Sequence, residues 1–252
     1  MDKREAAHRM LTCQRESCHI EWHRHCSNLA KEIISGDLDN FMDFQAVRET
    51  MFVGNAEYTF DELAEMKDKI DLEELKDCDK FSKNFQHPEF PTTGNNIHHR
   101  YHIYTFEHIT QKKVKNFDNI LELGGGYGNM ARLIHRMGFD GCYSIDDLPE
   151  FCTLQEYYLD HHKVKVNWHP NLKDHYDLFI ATWSLSEIPI ANRGVYQDID
   201  ADHFLIAFGP NYGGIDNMAY FRRFSDIYPG HSWMMLEAPY LPNQYYLIGV
   251  RR

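Results

Sequence analysis

Residues 120–129 read I-L-E-L-G-G-G-Y-G-N, and Asp146-Asp147 close the apolar run that follows. The run 119–123 is short, apolar and bounded by turn residues, the pattern of a buried parallel strand. Gly124, Gly126 and Gly128 then predict a tight turn whose backbone can approach a ligand, because no side chain intervenes. Met130, Leu133, Ile134 and Met137 recur at helical spacing, so a helix opens at the turn and Gly138 closes it. Backbone N–H groups exposed at that helix start favour an anionic group. Residues 142–145 form the second expected strand. Asp147 then follows Gly126 by 21 positions, near the roughly 20-residue offset at which a carboxylate meets ribose hydroxyls in nucleotide-binding α/β units.

The dinucleotide pattern G-x-G-x-x-G requires a third glycine where this chain has Asn129. The pattern here is E-x-G-x-G-x-G. Glu122 would repel a pyrophosphate but can accept hydrogen bonds from a ligand ammonium. An ammonium, a carboxylate and a ribose together describe S-adenosylmethionine (SAM), and at this point the chain resembles the class I SAM-dependent methyltransferases. An NAD-dependent oxidoreductase is the weakest alternative.

The 252 residues suit one catalytic domain with an accessory segment. Net charge is −12, and the acidic excess falls on both parts: 16 Lys+Arg against 21 Asp+Glu in residues 1–115, then 10 against 17. A nucleic-acid substrate is disfavoured, since such partners need a basic footprint. The opening M-D-K-R-E-A-A-H has no apolar signal stretch, and no run approaches the length of a membrane span, which predicts a cytoplasmic enzyme. Its six cysteines are then expected to be reduced. Cys13, Cys18, His23 and Cys26 can be read as a metal site, but the spacing matches no common zinc module. A helical stripe through Leu11, Cys18, Trp22, Cys26, Leu29 and Ile33 favours a buried helix face instead.

Residues 1–95 read as helical, a lid or substrate segment ahead of a nucleotide-binding domain over 96–252. One helix ends at Ser35-Gly36-Asp37 and a second is expected over 40–51. Thr59-x-x-Glu62 and Asp71-x-x-Glu74 look like starts of two further helices, and the acidic stretch 61–79 reads as a solvated face. A loop over 84–97 leads into a helix over 99–111. Beyond residue 117 strands and helices alternate as a parallel sheet requires, with strands expected at 163–167, 176–181 and 203–208. A P-N-Y-G-G loop, a helix near 218–225 and two final strands, 231–237 and 244–251, complete the chain. The ending resembles that of the class I methyltransferase sheet, and the resemblance implies an α/β fold: a Rossmann-like, seven-stranded, mostly parallel sheet ending in an antiparallel hairpin, preceded by a helical segment.

Three stretches carry a finer resemblance: L-E-L-G-G-G-Y-G at 121–128, Y-S-I-D-D-L-P-E-F followed by L-Q-E-Y-Y-L within 143–159, and D-L-F-I-A-T-W-S-L-S-E-I-P at 177–189. Together they resemble a bacterial family of sugar O-methyltransferases, over roughly residues 97–210. The resemblance implies cofactor contacts from Glu122, Gly124, Gly125, Gly126, Gly128, Asp146, Asp147, Leu148, Thr182 and Trp183, with Asp147 matching the ribose-binding carboxylate. The segment after the fourth strand has neither the N/D-P-P-Y/W motif of amino-group methyltransferases nor the P-C pair of cytosine methyltransferases nearby, so oxygen is the expected acceptor. A hydroxyl needs a base. His98, His99 and Glu187 are the catalytic candidates, with His102 close by, and no ligand spacing calls for a metal. The expected substrate is a sugar, a nucleotide-sugar or a similar small polyhydroxylated metabolite. The alternatives are another small-molecule methyltransferase or a silent methyltransferase-like subunit.

Overall fold

The computed structural model describes residues 20–51, 54–77 and 80–252. Leu11, Cys13, Cys18 and Cys78 lie outside the described residues. Nine strands are described: β1 Asn119–Leu123, β2 Cys142–Asp146, β3 Asn167–Trp168, β4 His175–Thr182, β5 Asp200–Phe208, β6 Asn211–Tyr212, β7 Ile215–Asp216, β8 His231–Glu237 and β9 Tyr245–Arg251. Seven of them make one sheet in the order β3-β2-β1-β4-β5-β9-β8, with β1 to β5 parallel and β9 antiparallel to both its neighbours. Four of the five residues of β1 are buried, as a strand covered on both faces requires. Strand order reverses between β1 and β4, so a crevice opens beyond their carboxyl ends.

The helices are α1 Ile20–Ser35, α2 Gln45–Thr50, α3 Glu57–Met66, α4 Gly94–Thr110, α5 Asn129–Arg136, α6 Pro149–His162, α7 Ser184–Glu187, α8 Asn217–Phe221 and α9 Phe224–Ile227. Cys26, Leu29 and Ile33 of α1 are fully buried, in one hydrophobic cluster with Ile120, Met130, Ile145 and Leu154 of the sheet and its flanking helices. The apolar stripe expected of α1 thus holds for its described residues. Among the described residues no helix is long and apolar enough to cross a membrane.

Several boundaries differ from the sequence expectation, each for a local reason. The stretch 40–51 is not one helix: a 3-10 turn over Leu38–Asp43 and then α2 are separated at Phe44, which is extended (φ −60°, ψ 136°). The start of α2 is capped from a distance, because the Glu32 carboxylate of α1 accepts from the N–H groups of Gln45 (2.8 Å) and Ala46 (3.0 Å). Helix α3 begins two residues before Thr59, whose hydroxyl donates to the carbonyl of Ala56 (2.6 Å), so Thr59 and Glu62 are not a capping box. Asp71 caps only a 3-10 turn, Leu72–Glu74. Within the supposedly solvated acidic stretch, Glu62 and Asp77 are buried.

Helix α4 starts at Gly94 rather than near His99, because the Thr93 side chain accepts from the N–H of Asn96 (3.2 Å) and caps it. His98 therefore lies inside the helix. The strand expected at 163–167 shrinks to β3, since Lys163 takes a left-handed conformation and Val164 N–H closes α6 on the carbonyl of Leu159 (3.0 Å). The P-N-Y-G-G loop makes a two-residue hairpin, β6 with β7, and the helix expected near 218–225 is two short helices, α8 and α9.

Candidate active site

The crevice at the strand ends is a cleft of about 1150 Å³. Its floor is the glycine turn. Gly124 has φ +73°, and a Cβ there would stand 2.4 Å from Cβ of Ser184, so only glycine lets α7 close against the end of β1. The Ser184 hydroxyl donates to the carbonyl of Leu123 and fixes that approach. Gly125 and Gly126 also face the cleft. Gly128 does not reach it: it is the left-handed cap of α5 (φ +95°) and packs over Leu159. Its predicted place among the ligand contacts is corrected to one in the turn.

Glu122, near the end of β1, lines the cleft although it is 2% exposed. Burial pushes its carboxyl up to about 7, against the hydrogen bond donated by the Tyr143 hydroxyl (2.9 Å). Asp146 ends β2 and accepts from the Tyr196 hydroxyl (2.9 Å). Asp147 follows, accepting from Leu148 N–H on one oxygen and from the Gln155 amide on the other, both at 2.7 Å. Burial raises Asp147 to about 8, and those two hydrogen bonds only partly offset it. The same Gln155 amide donates to the carbonyl of Gly126 (3.0 Å), tying the glycine turn to the acidic corner. Gln155 stood in the L-Q-E-Y-Y-L stretch, but nothing in a helical glutamine announces which loop it will reach.

Thr182, Trp183 and Glu187 come from the end of β4 and from α7. Trp183 is held at φ +63°, a conformation that strains a bulky residue. Its N–H donates to the carbonyl of Ala207 and its indole to Gln244, both at 2.7 Å, which keeps the ring in the cleft wall. Glu187 accepts from the indole of Trp22 on α1 (3.0 Å), and burial raises its carboxyl to about 7. Helix α1 thus supplies part of the wall, a contribution no local pattern revealed.

His98 and His99 of α4 both line the cleft. Nδ1 of His98 lies 2.8 Å from a carboxylate oxygen of Glu62 on α3, and its ring stacks on Trp183 with centroids 5.5 Å apart. His102, one turn on, is fully buried beside His98 and pairs with the Tyr246 hydroxyl at 2.6 Å, so it is set back from the cleft. Leu148 completes the wall between Asp147 and α6. Every predicted site residue except Gly128 is therefore brought to one cavity. Among the described residues, the one grouping with donor atoms close enough for a metal is His175, Asp177 and Asp202. It sits toward the opposite ends of β4 and β5, with Asp202 paired to Arg251 (2.8 Å).

The architecture is Rossmann-like, a mostly parallel seven-stranded sheet whose strand β9 is antiparallel to both its neighbours. No protein-family model matches the chain, and no curated protein sequence matches it. Solved structures do. The methyltransferase domain of a bacterial Hen1 protein is 10% identical, with TM-score 0.47, over 61% of this chain and 96% of that one. Magnesium protoporphyrin IX methyltransferase from Synechocystis PCC 6803, solved with bound SAM, is 13% identical with TM-score 0.47, over 62% of this chain and 80% of that one. An O-methyltransferase family protein from Burkholderia thailandensis is 14% identical with TM-score 0.43, over 62% and 59%.

Proposed function

We propose that this protein is a SAM-dependent O-methyltransferase acting on a sugar or a similar small polyhydroxylated metabolite. The observation that carries the reading is the convergence of Glu122, the glycine turn and Asp147 on a single cleft at the sheet's switch point. Glu122 suits the ligand ammonium and Asp147 the ribose hydroxyls, since a carboxylate already holding two hydrogen bonds keeps acceptor capacity for more. A dinucleotide fits less well. Asn129, where the third glycine would stand, is buried and uses its side chain to hold Arg132, Tyr158 and His99.

Bound SAM supplies an electrophilic methyl group on a sulfonium that leaves as a neutral thioether. The chain's own residues then have two tasks: to orient a hydroxyl in line with the methyl group and to take its proton as the bond forms. His98 and Glu187 flank the end of β4, where such a hydroxyl would sit. The aromatic faces of Trp22, Tyr58 and Trp183 suit the apolar side of a sugar ring, with Glu49 and Glu187 as acceptors for its hydroxyls. Among the described residues the cleft wall holds no Lys or Arg, which favours an uncharged acceptor over a nucleotide-linked one. By this reading residues 1–95 contribute to the acceptor side together with His98, Trp183 and Glu187, and the glycine turn and acidic corner of residues 96–252 form the cofactor side.

The test is transfer of labelled methyl from SAM to a panel of free sugars, nucleotide-linked sugars, phenols and carboxylic acids. Transfer to a free sugar hydroxyl, reduced about 100-fold or more by His98→Ala, is expected. Transfer confined to phenols or carboxylic acids would overturn the substrate class. No transfer to any acceptor, with SAM bound, would favour a silent binding subunit.

A further inference from the structure

His98 and His99 are neighbours in sequence and open on the same cleft, yet their Nδ1 atoms meet opposite partners. For His99 that partner is the Asn129 amide at 3.1 Å. The amide's orientation is set from the other side. Its oxygen takes the Arg132 guanidinium (3.3 Å) and the Tyr158 hydroxyl (3.4 Å), both donors there, so its NH2 faces His99. Nδ1 of His99 must then accept, and the proton sits on Nε2. For His98 the partner is a carboxylate oxygen of Glu62, which accepts from Nδ1–H and leaves Nε2 bare.

We propose that Glu62 and Asn129 are positioning residues that lock the two histidines in opposite tautomers, His98 as the proton acceptor of methyl transfer and His99 as a neutral hydrogen-bond donor to the same cleft. This rests on reading the cleft as a methyl-transfer site. The acceptor hydroxyl loses its proton to Nε2 of His98 while its oxygen bonds the methyl carbon. The carbon–sulfur pair leaves with sulfur, and the imidazolium is held by Glu62 until water takes the proton. His99 is unsuited to that role. Burial, then the nearby His98 and Arg132, hold it down to about 3, so it stays neutral and its Nε2–H donates. The other polar groups around His98 are Tyr58 from α3, with His99 and His102 from α4. Of these, none is a carboxylate, so Glu62 selects the tautomer; burial raises its carboxyl, with Glu65 of α3 adding to that, and the hydrogen bond and charge of His98 work against it. The second oxygen of Glu62 is buried and has no hydrogen-bond partner among the described residues.

The experiment is long-range 1H–15N NMR of the full chain labelled at histidine, with S-adenosylhomocysteine added. His98 is expected as the Nδ1–H tautomer and His99 as the Nε2–H tautomer. Asn129→Asp should switch His99 to Nδ1–H, because a carboxylate can only accept. Glu62→Gln should deplete the Nδ1–H form of His98 while changing S-adenosylhomocysteine affinity less than about threefold. On a reactive acceptor it should cut kcat about 100-fold with KM little changed, move the acid limb of the pH profile downward, and be partly rescued by Glu62→Asp. The same tautomer at both histidines in the wild-type protein would overturn the proposal, whether or not either variant folds. Failure of S-adenosylhomocysteine to bind the wild-type protein would instead sink the cofactor reading, while the NMR of the unliganded chain still judges the tautomers.

Discussion

The two walls of the cleft are built in different ways. On one side, Glu122, Gly124 to Gly126 and Asp146 to Leu148 lie within 27 residues of sequence on adjacent parallel strands and the turns after them. Their positions follow from backbone geometry, so a local pattern suffices to find them. On the other side, Trp22, His98, Trp183 and Glu187, with Glu62 behind them, come from four separate segments and meet through side-chain pairs spanning up to 165 residues. A site for a common cofactor can be specified by a turn, whereas a site for a particular acceptor is assembled from whatever the tertiary fold brings together.

If the two walls share one core, damage far from the cleft on the acceptor side should unfold both. Leu29→Ala empties a fully buried position in α1 and is expected to cost about 2–5 kcal/mol, with loss of α1 and the sheet in one transition. Chemical denaturation followed by far-UV circular dichroism and by tryptophan fluorescence checks this, since Trp22 and Trp183 report the walls. Two separated transitions would show that the N-terminal helices are an independent unit.

A smaller effect is expected at the cofactor wall. Asp147→Ala should weaken S-adenosylhomocysteine binding by about 1–3 kcal/mol if its ribose hydrogen bonds are charge-assisted. Gly126→Val should do at least as much by filling ligand space. Both should leave the acceptor wall folded. Affinity equal to wild type in both variants would break the assignment of this wall to the cofactor.

A pH dependence accompanies these losses, and its sign follows from the raised carboxyls. Glu122, Asp147 and Glu187 titrate in the fold near 7, 8 and 7 rather than near the ordinary carboxylate range. Their protonated forms are favoured by folding, so the stability they contribute is full below about pH 4 and is lost as pH rises through 7 to 8. A ligand that needs Glu122 and Asp147 ionised pulls their protons off. S-adenosylhomocysteine should therefore bind up to about 100-fold more tightly at pH 8.5 than at 6.5, releasing protons. Calorimetry in buffers of differing ionisation enthalpy measures the release. Proton uptake would mean that the ligand meets neutral acids.

The parallel sheet was legible because apolar runs alternate with helical periodicity from residue 117 onward, and the antiparallel ending because the last two strands resemble the close of the methyltransferase sheet. All but one of the expected site residues reach the cleft, the exception being Gly128, which local pattern could not separate from its neighbours in the turn. The N-terminal part was read less well. Thr59-x-x-Glu62 looked like a helix start because the motif is local, but Glu62 belongs to His98, 36 residues away. The break at Phe44 escaped notice because its compensating cap is Glu32, a residue of a different helix. Gln155 and Asn129 had no visible role for the same reason. Each acts through an amide aimed at a loop or a ring that only the fold places there.

The central claim is that the cleft is a SAM site. Isothermal titration of the full-length wild-type protein with S-adenosylhomocysteine, and in parallel with NAD, tests it most directly. The account predicts one S-adenosylhomocysteine per chain and NAD binding much weaker. No binding of S-adenosylhomocysteine, or NAD bound as tightly, would contradict it.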